Sequence, residues 1–550
     1  MIAIAVSVAA GCGGDTTGEP GTVAAETGGS AQQINAQDPA SLRDGGALRI
    51  PVDALPTNYN PLQLNGARVV TWQLAEAILP SAFRDGPDGS HELATDYVES
   101  AELTSAAPQV VTYRLNPGAV WSNGRPLSWE DFAGQARALS GTDPAYEGFS
   151  TTGYSDISTV TRGADDREVV VTFARPFAEW QGLFSLIVPK EVTADPAAFN
   201  DGWVREPQIT SGPFQLVGID DTAKTISLER NPSFWGTKPP LESLIFVAMD
   251  SVARADALAN NEIDIYPIGG DIDLFTRARS MSGVEIRQAP ERKAGQVTFN
   301  GAPGAPLADE KLRVAVAQAI DPAEVTKVVL GGIVPDAAPV GNHILPPTDA
   351  GYRDNSAVLP HDPQAARKAL DELGWAPGPD GIRARNGRPL SLRLLTQNTP
   401  VGQTVSGVLR DQLTRSGIGV VVESVPPDRF YDGYLIPGNF DVAAFEWTKS
   451  SSPFAHDRPV FQQPVGDDIG SNYGRVYIGE IDALYDRGLA ELDPQARAEI
   501  ANEIDVLAWR HAHHLPLYAE SGAYAVRTGL ANYGARGLGN YGFGRAGWEQ

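Results

Sequence analysis

The sequence is short of thiols. Cys12 is the single cysteine among 550 residues, so no internal disulfide can form and packing alone must hold the fold. Basic charge is scarce as well. Lys+Arg number 43 against 68 Asp+Glu, a formal net charge of −25. No run of Lys or Arg is longer than two, which excludes the basic patch a nucleic-acid partner needs. Long apolar runs are missing too. MIAIAVSVAAG at the start is 11 residues long, too short to cross a bilayer. Signature motifs of catalysis are absent: there is no GxSxG elbow, Walker phosphate loop, HExxH or CxxC, and no GxGxxG follows a strand. The chain therefore reads as a non-enzyme with no cofactor.

What remains is ordinary globular material. Hydrophobic residues make up 42% and charged residues 20%, enough apolar side chain for several cores. At about 150 residues per domain the length suggests three or four domains. Gly (57) and Pro (42) are abundant, which favours a turn-rich mixed fold over a helical bundle.

The apolar start runs through small residues into Cys12, and so resembles the end of a bacterial lipoprotein signal. It departs from that pattern in having no basic residue before the run, and Ala9 where Leu is usual. Residues 13–45 have no aromatic side chain and little that packs, so they read as a flexible tether spanning roughly 30 Å.

The folded body is expected from Gly46. Alternation and β-branched content predict strands at 110–115, 168–174, 225–231 and 243–249. Residues 127–139 read as a helix with Ser128 as N-cap. DPQAARKALDELG (362–374) is the clearest helix. Asp362 caps it, Pro363 suits its first turn, and Gly374 can end it. A second helix starts the same way at Asp493. Between them, 391–398, 405–413 and 418–425 give a β-α-β order, hence parallel pairing.

The histidines of HAHH (His511, His513, His514) would need a third ligand and supporting groups to hold a metal. Helix-face and C-terminal capping roles are the simpler reading. Ser450, Ser451 and Ser452 beside His456 raise a hydrolase as a third possibility, which needs them to converge with an acid.

Several turn and strand-end motifs occur in order: WSNGRPLSWED (121–131), SGPFQL (211–216), RNPSFWG (230–236) and NEID (261–264). Together they resemble the peptide/nickel class of bacterial extracellular solute-binding proteins, the receptor subunits of ABC importers. The resemblance implies an α/β, two-lobed, three-domain fold. Domain I would combine 46–92, 208–295 and 519–550; domain II would be 93–207; domain III would be 296–518. Hinge crossings are expected near Phe299–Asn300 and Tyr518. A monomer would close its lobes on a small peptide or other organic solute and present it to permease subunits. It would touch the membrane only through lipid on Cys12. The closed form wins because only there do both lobes touch ligand.

The same resemblance implies ligand contacts at Asn58 and Tyr59 of the PTNYNP loop, and at Glu446, Trp447, Thr448 and Ser450. Peptide-binding members anchor the ligand ammonium on an Asp three residues after that Trp. Here the position holds Ser450, with Glu446 and Asp457 as the nearby acids that could replace it. The alternative is an envelope lipoprotein of the same fold that regulates or scaffolds cell-wall glycolipid assembly.

Overall fold

The computed structural model describes residues 31–466 and 468–550. Cys12, the apolar run before it and residues 13–30 of the expected tether lie outside the described residues.

The fold is mixed α/β, and its cores divide the chain into two lobes. In the first lobe the strand Ala47–Val52 pairs in parallel with Ser243–Ala248. That strand continues antiparallel through Thr225–Arg230 to Phe214–Asp220. An inserted four-stranded antiparallel sheet spans Val98–Ala106, Gln109–Leu115, Ile157–Arg162 and Glu168–Phe173. Gln109–Leu115 buries every second residue, as a sheet covered on one face must. Under it, Tyr113, Phe132, Tyr154 and Phe184 pack edge to face or tilted, with centroids 4.7–6.1 Å apart. Each such ring contributes about 1.5–3 kcal/mol on burial.

The second lobe is built on one five-stranded sheet. Its order is Gly419–Val425, Ser391–Gln397, Val442–Thr448, Lys293–Phe299, His514–Ala519. The expected β-α-β unit is there: Ser391–Gln397 and Gly419–Val425 run parallel, joined by the helix Pro400–Arg415. The predicted caps form. Asp362 accepts from the Gln364 and Ala365 amides at the start of Pro363–Glu372, and Asp493 accepts from Ala496 at the start of Pro494–Arg510. At the helix Trp129–Leu139 the Ser128 N–H donates to Asp131 at 3.0 Å, so the reciprocal half of a capping box comes from the carboxylate.

Two expectations need correction. Lys293–Phe299 lies wholly within the second lobe's sheet, whereas Val284–Gln288 pairs in the first lobe. The first crossing is therefore at 289–292, earlier than Phe299–Asn300. The tether reading also fails from Gln33 onward. Gln33 pairs with Ala535, Gln37 N donates to Asn532, Arg43 pairs with Trp548, and Leu42 is buried. The C-terminal segment supplies the backbone partners that the local sequence could not reveal.

Candidate ligand-binding cleft

Asn58 and Tyr59 are not cleft residues in the way expected. Both are buried. Asn58 Nδ2 donates to Asn200 O (2.7 Å) and Gln63 Oε1 (3.2 Å), and Tyr59 N donates to Trp203 O (2.9 Å). Burial, helped by Asp221 and Glu206, pushes the Tyr59 phenol up to about 12. The loop is clamped onto the helix Pro196–Asp201, which chain topology brings in from the insertion. Among the described residues no hydrogen bond, ion pair or ring contact links this pair to Glu446, Trp447, Thr448 or Ser450.

Near the clamp the surface carries exposed apolar side chains. Beyond it Leu64 is 59% exposed, Val69 71% and Phe149 45%. Phe149 meets the Trp72 ring edge-on at 6.2 Å. In the helix Val69–Ile78 the residues Leu74, Ala75 and Ile78 face the core and Val69 the opposite side, while Glu76 is covered by Tyr541, whose N–H donates to it at 2.7 Å. Val69 and Leu64 carried a signal: apolar side chains at positions with no core to enter.

The second set of expected site residues lies at the end of the strand Val442–Thr448. That strand pairs antiparallel with Lys293–Phe299, setting Glu446 opposite Gly295, Trp447 opposite Ala294 and Thr448 opposite Lys293. Alternation sends Glu446 and Trp447 to opposite faces. Trp447 is half-buried, with Nε1 on Asp457 (3.2 Å) and its ring against His456 and Tyr473. Lys449 Nζ also reaches Asp457 (3.2 Å) and the His343 carbonyl. Asp457 is thus fully engaged in orienting Trp447 and neutralising Lys449. Glu446 is half-buried and Thr448 exposed.

Ser450 is half-buried, and its Oγ accepts from Ser452 N at 3.1 Å. The turn that follows crosses to the first lobe. Ser451 donates to Asp85 at 2.9 Å, and Asp85 is paired with Arg292 (2.6 Å) and His91 (3.1 Å). Desolvation acts most strongly on Asp85, yet His91 and Arg292 together hold it below the usual carboxylate range. Beside it the Glu179 carboxylate accepts the Phe454 (3.0 Å) and Ala455 (2.8 Å) amides at the start of the helix Pro453–Phe461. Burial pushes Glu179 up to about 7. Ala178 N donates to Leu489 O at 2.6 Å. These contacts hold the insertion against the second lobe. His456 Nε2 sits 2.7 Å from Thr448 O and bonds to no serine hydroxyl, so the Ser–His convergence a hydrolase requires is not formed here.

The HAHH histidines are placed otherwise than as helix-capping cations. His511 pairs with Glu310 at 3.1 Å. His513 and His514 are buried, Nδ1 to Nδ1 at 3.0 Å, with pKa lowered first by burial.

Two lobes, each with its own sheets and joined by two chain crossings, define a binding protein of the cleft type. The family described as bacterial extracellular solute-binding proteins, family 5 (Middle), matches residues 92–461. The oligopeptide-binding protein OppA of Mycobacterium tuberculosis is 40% identical over 513 residues, 93% of this chain and 86% of that one. The probable monoacyl phosphatidylinositol tetramannoside-binding protein LpqW of the same organism is 26% identical, covering 83% of this chain and 75% of that one. Among solved structures, the periplasmic EDTA-binding protein EppA superposes with a TM-score of 0.88 at 26% identity, over 95% of this chain and 100% of that one. The chain belongs to family 5 of the bacterial extracellular solute-binding proteins. No helix among the described residues is long and apolar enough to cross a membrane.

Proposed function

We propose that this protein is the extracytoplasmic receptor of an ABC importer, a monomer that captures peptides between its lobes and hands them to permease subunits. The 40% identity to a protein named for oligopeptide binding, across 93% of the chain, carries the reading. An exposed apolar face suits varied side chains, and roomy, wet pockets tolerate sequence variety. We place Glu446, Trp447, Thr448 and Ser450 at the ligand. Asn58 and Tyr59 shape the opposite wall from behind. Cys12 is proposed as the lipid-bearing residue that holds the protein at the outer face of the membrane.

Native mass spectrometry of the soluble body tests peptide capture. A ladder of co-purified peptide masses supports it, and an empty protein that ignores a peptide library refutes it. The relation to LpqW favours a second reading, a scaffold or regulator of cell-wall glycolipid assembly. Retention of a mannosylated lipid in the same experiment, with no peptide, would select that reading.

A further inference from the structure

The first lobe carries a basic recess, although the chain as a whole has a net charge of −25. It is a cavity of about 400 Å³, open to solvent and lined by Arg43, Ala47, Arg49, Asp264, Arg527 and Trp548. None of these residues is among those placed at the peptide. Three guanidinium groups share this lining with a single carboxylate.

Asp264 accounts for only part of that charge. Its side chain is fully buried and both oxygens are occupied. Oδ2 accepts from Arg49 N (2.8 Å) and Arg49 Nε (3.0 Å). Oδ1 accepts from Arg49 Nη2 (2.7 Å) and Arg527 Nε (3.3 Å). The backbone continues the tie: Asp264 N donates to Arg49 O and Arg527 N to Asp264 O, both at 2.9 Å. The carboxylate thus fastens the strand Ala47–Val52 to the strand Ala523–Arg527, and one cation would neutralise it. Arg527 and Arg43 are surplus to that task. Arg527 Nη2 donates to the Leu258 (2.6 Å) and Ile263 (3.3 Å) carbonyls, which leaves Nη1 without a partner among the described residues.

Arg43 is exposed, and its guanidinium makes no ion pair or hydrogen bond among the described residues. Its backbone is fixed, because Arg43 N donates to Trp548 O at 2.8 Å. The indole is fixed too, with Trp548 Nε1 donating to Ala47 O at 2.9 Å. Gly46, at φ +89°, lets the two groups flank one point. A Cβ there would fall 2.9 Å from Arg43 Nη2 and 3.1 Å from Trp548 Cδ1. The acids next to these residues in sequence are engaged elsewhere: Asp44 pairs with Arg230 and Lys238, and Glu549 accepts from Asn35. Like charges gathered in one recess repel one another until an anion joins them.

We propose that this recess is a second ligand site, and that it takes a phosphate ester. Arg43, Arg49 and Arg527 donate to the phosphate oxygens, and the organic part lies against the Trp548 ring. A carboxylate presents two oxygens in one plane. A phosphate monoester presents three in a tetrahedral array, which matches rigid donors arriving from separate directions. The cavity is larger than a phosphate group alone, so it has room for the rest of the molecule. A soluble metabolite and a lipid headgroup both present this chemistry. Arg43 lies 31 positions beyond Cys12, so lipid on that thiol would hold the recess within reach of headgroups.

The test uses the full chain carrying Cys12→Ser, which has no thiol to acylate. Calorimetry compares phenyl phosphate with benzoate, which keeps the ring and replaces the phosphate by a carboxylate. Phenyl phosphate should bind at least tenfold more tightly. Arg43→Gln should weaken it about tenfold and Arg43→Lys less, with the thermal midpoint unchanged, because the Arg43 side chain bonds to nothing in the fold. Flotation with phosphatidylcholine vesicles, with and without phosphatidic acid, separates the two sources. Capture that needs phosphatidic acid and is lost in Arg43→Gln supports the site and assigns it to a lipid headgroup. Phenyl phosphate binding without vesicle capture supports the site and assigns it to a soluble ester. Phenyl phosphate that fails to bind, binds no better than benzoate, or ignores both Arg43→Gln and Arg43→Glu overturns the proposal, and peptide capture stands or falls separately.

Discussion

Mild acid should weaken the second lobe through His513, by an amount the structure allows to be worked out. The ring is buried and lies tilted against Phe461 with centroids 4.4 Å apart. Burial first, then the charges of His343 and Arg313, lowers its pKa from 6.5 to about 3. A group whose folded pKa is depressed stabilises the fold above its unfolded pKa, and that contribution is lost as pH falls towards the folded value. The window here is therefore pH 6.5 down to about 3. Between pH 7 and pH 5 the unfolded chain binds close to one proton at this site that the folded chain refuses. About 1.5 pH units at about 1.4 kcal/mol each gives a loss of about 2 kcal/mol. Urea unfolding, followed by tryptophan fluorescence at pH 7 and pH 5, reads it. Trp509 packs against His343 of the same cluster and contributes to that signal together with the other tryptophans. Other groups titrate over the same range, so the informative quantity is the difference between wild type and His513→Leu. The variant should lose about 2 kcal/mol less than wild type over that range. Equal losses in the two proteins would refute the assignment of a neutral buried imidazole.

Other consequences can be measured separately. Glu179→Ala removes the acceptor of the Phe454 and Ala455 amides and should loosen the contact between insertion and second lobe by about 1–3 kcal/mol, seen as a longer interlobe distance in double-label spectroscopy. Because burial raises the Glu179 pKa from 4.5 to about 7, the wild-type contact should be strongest below pH 4.5 and weaken as pH rises through 7, whereas the variant should lack that dependence. Gly488→Ala should cost about 1–3 kcal/mol in thermal unfolding, since its Cβ would fall 2.0 Å from the Phe454 ring that seats the helix Pro453–Phe461. Ser450→Asp should tighten free-amine peptides about fivefold by calorimetry, corresponding to about 1 kcal/mol for a half-exposed charge. Cys12→Ser should move the protein from the membrane fraction to the medium if that thiol carries the lipid.

Local chemistry made much of the fold readable. Asp362 with Pro363, and Asp493 with Pro494, mark helix starts because an aspartate accepts the free amides of the first turn. The alternation in Gln109–Leu115 and the β-α-β order of 391–425 follow from side-chain period and chain reach. Local position did not report burial equally well everywhere. Trp447 and Glu446 stand on a recognisable strand end. Asn58 and Tyr59, in a turn that looks exposed, are covered by residues 199–203, far along the chain.

The sequence by itself determined the family, most of the helices and strands, and the absence of an aspartate at Ser450. Each of these depends on residues close in the chain. Tertiary structure alone decided which charges meet. Lys293 and Glu446 stand on neighbouring strands of one sheet and Glu520 just past the end of a third, so charges more than two hundred positions apart in the chain share one field. Electrostatic interaction follows distance in space, and spacing along the chain does not report it.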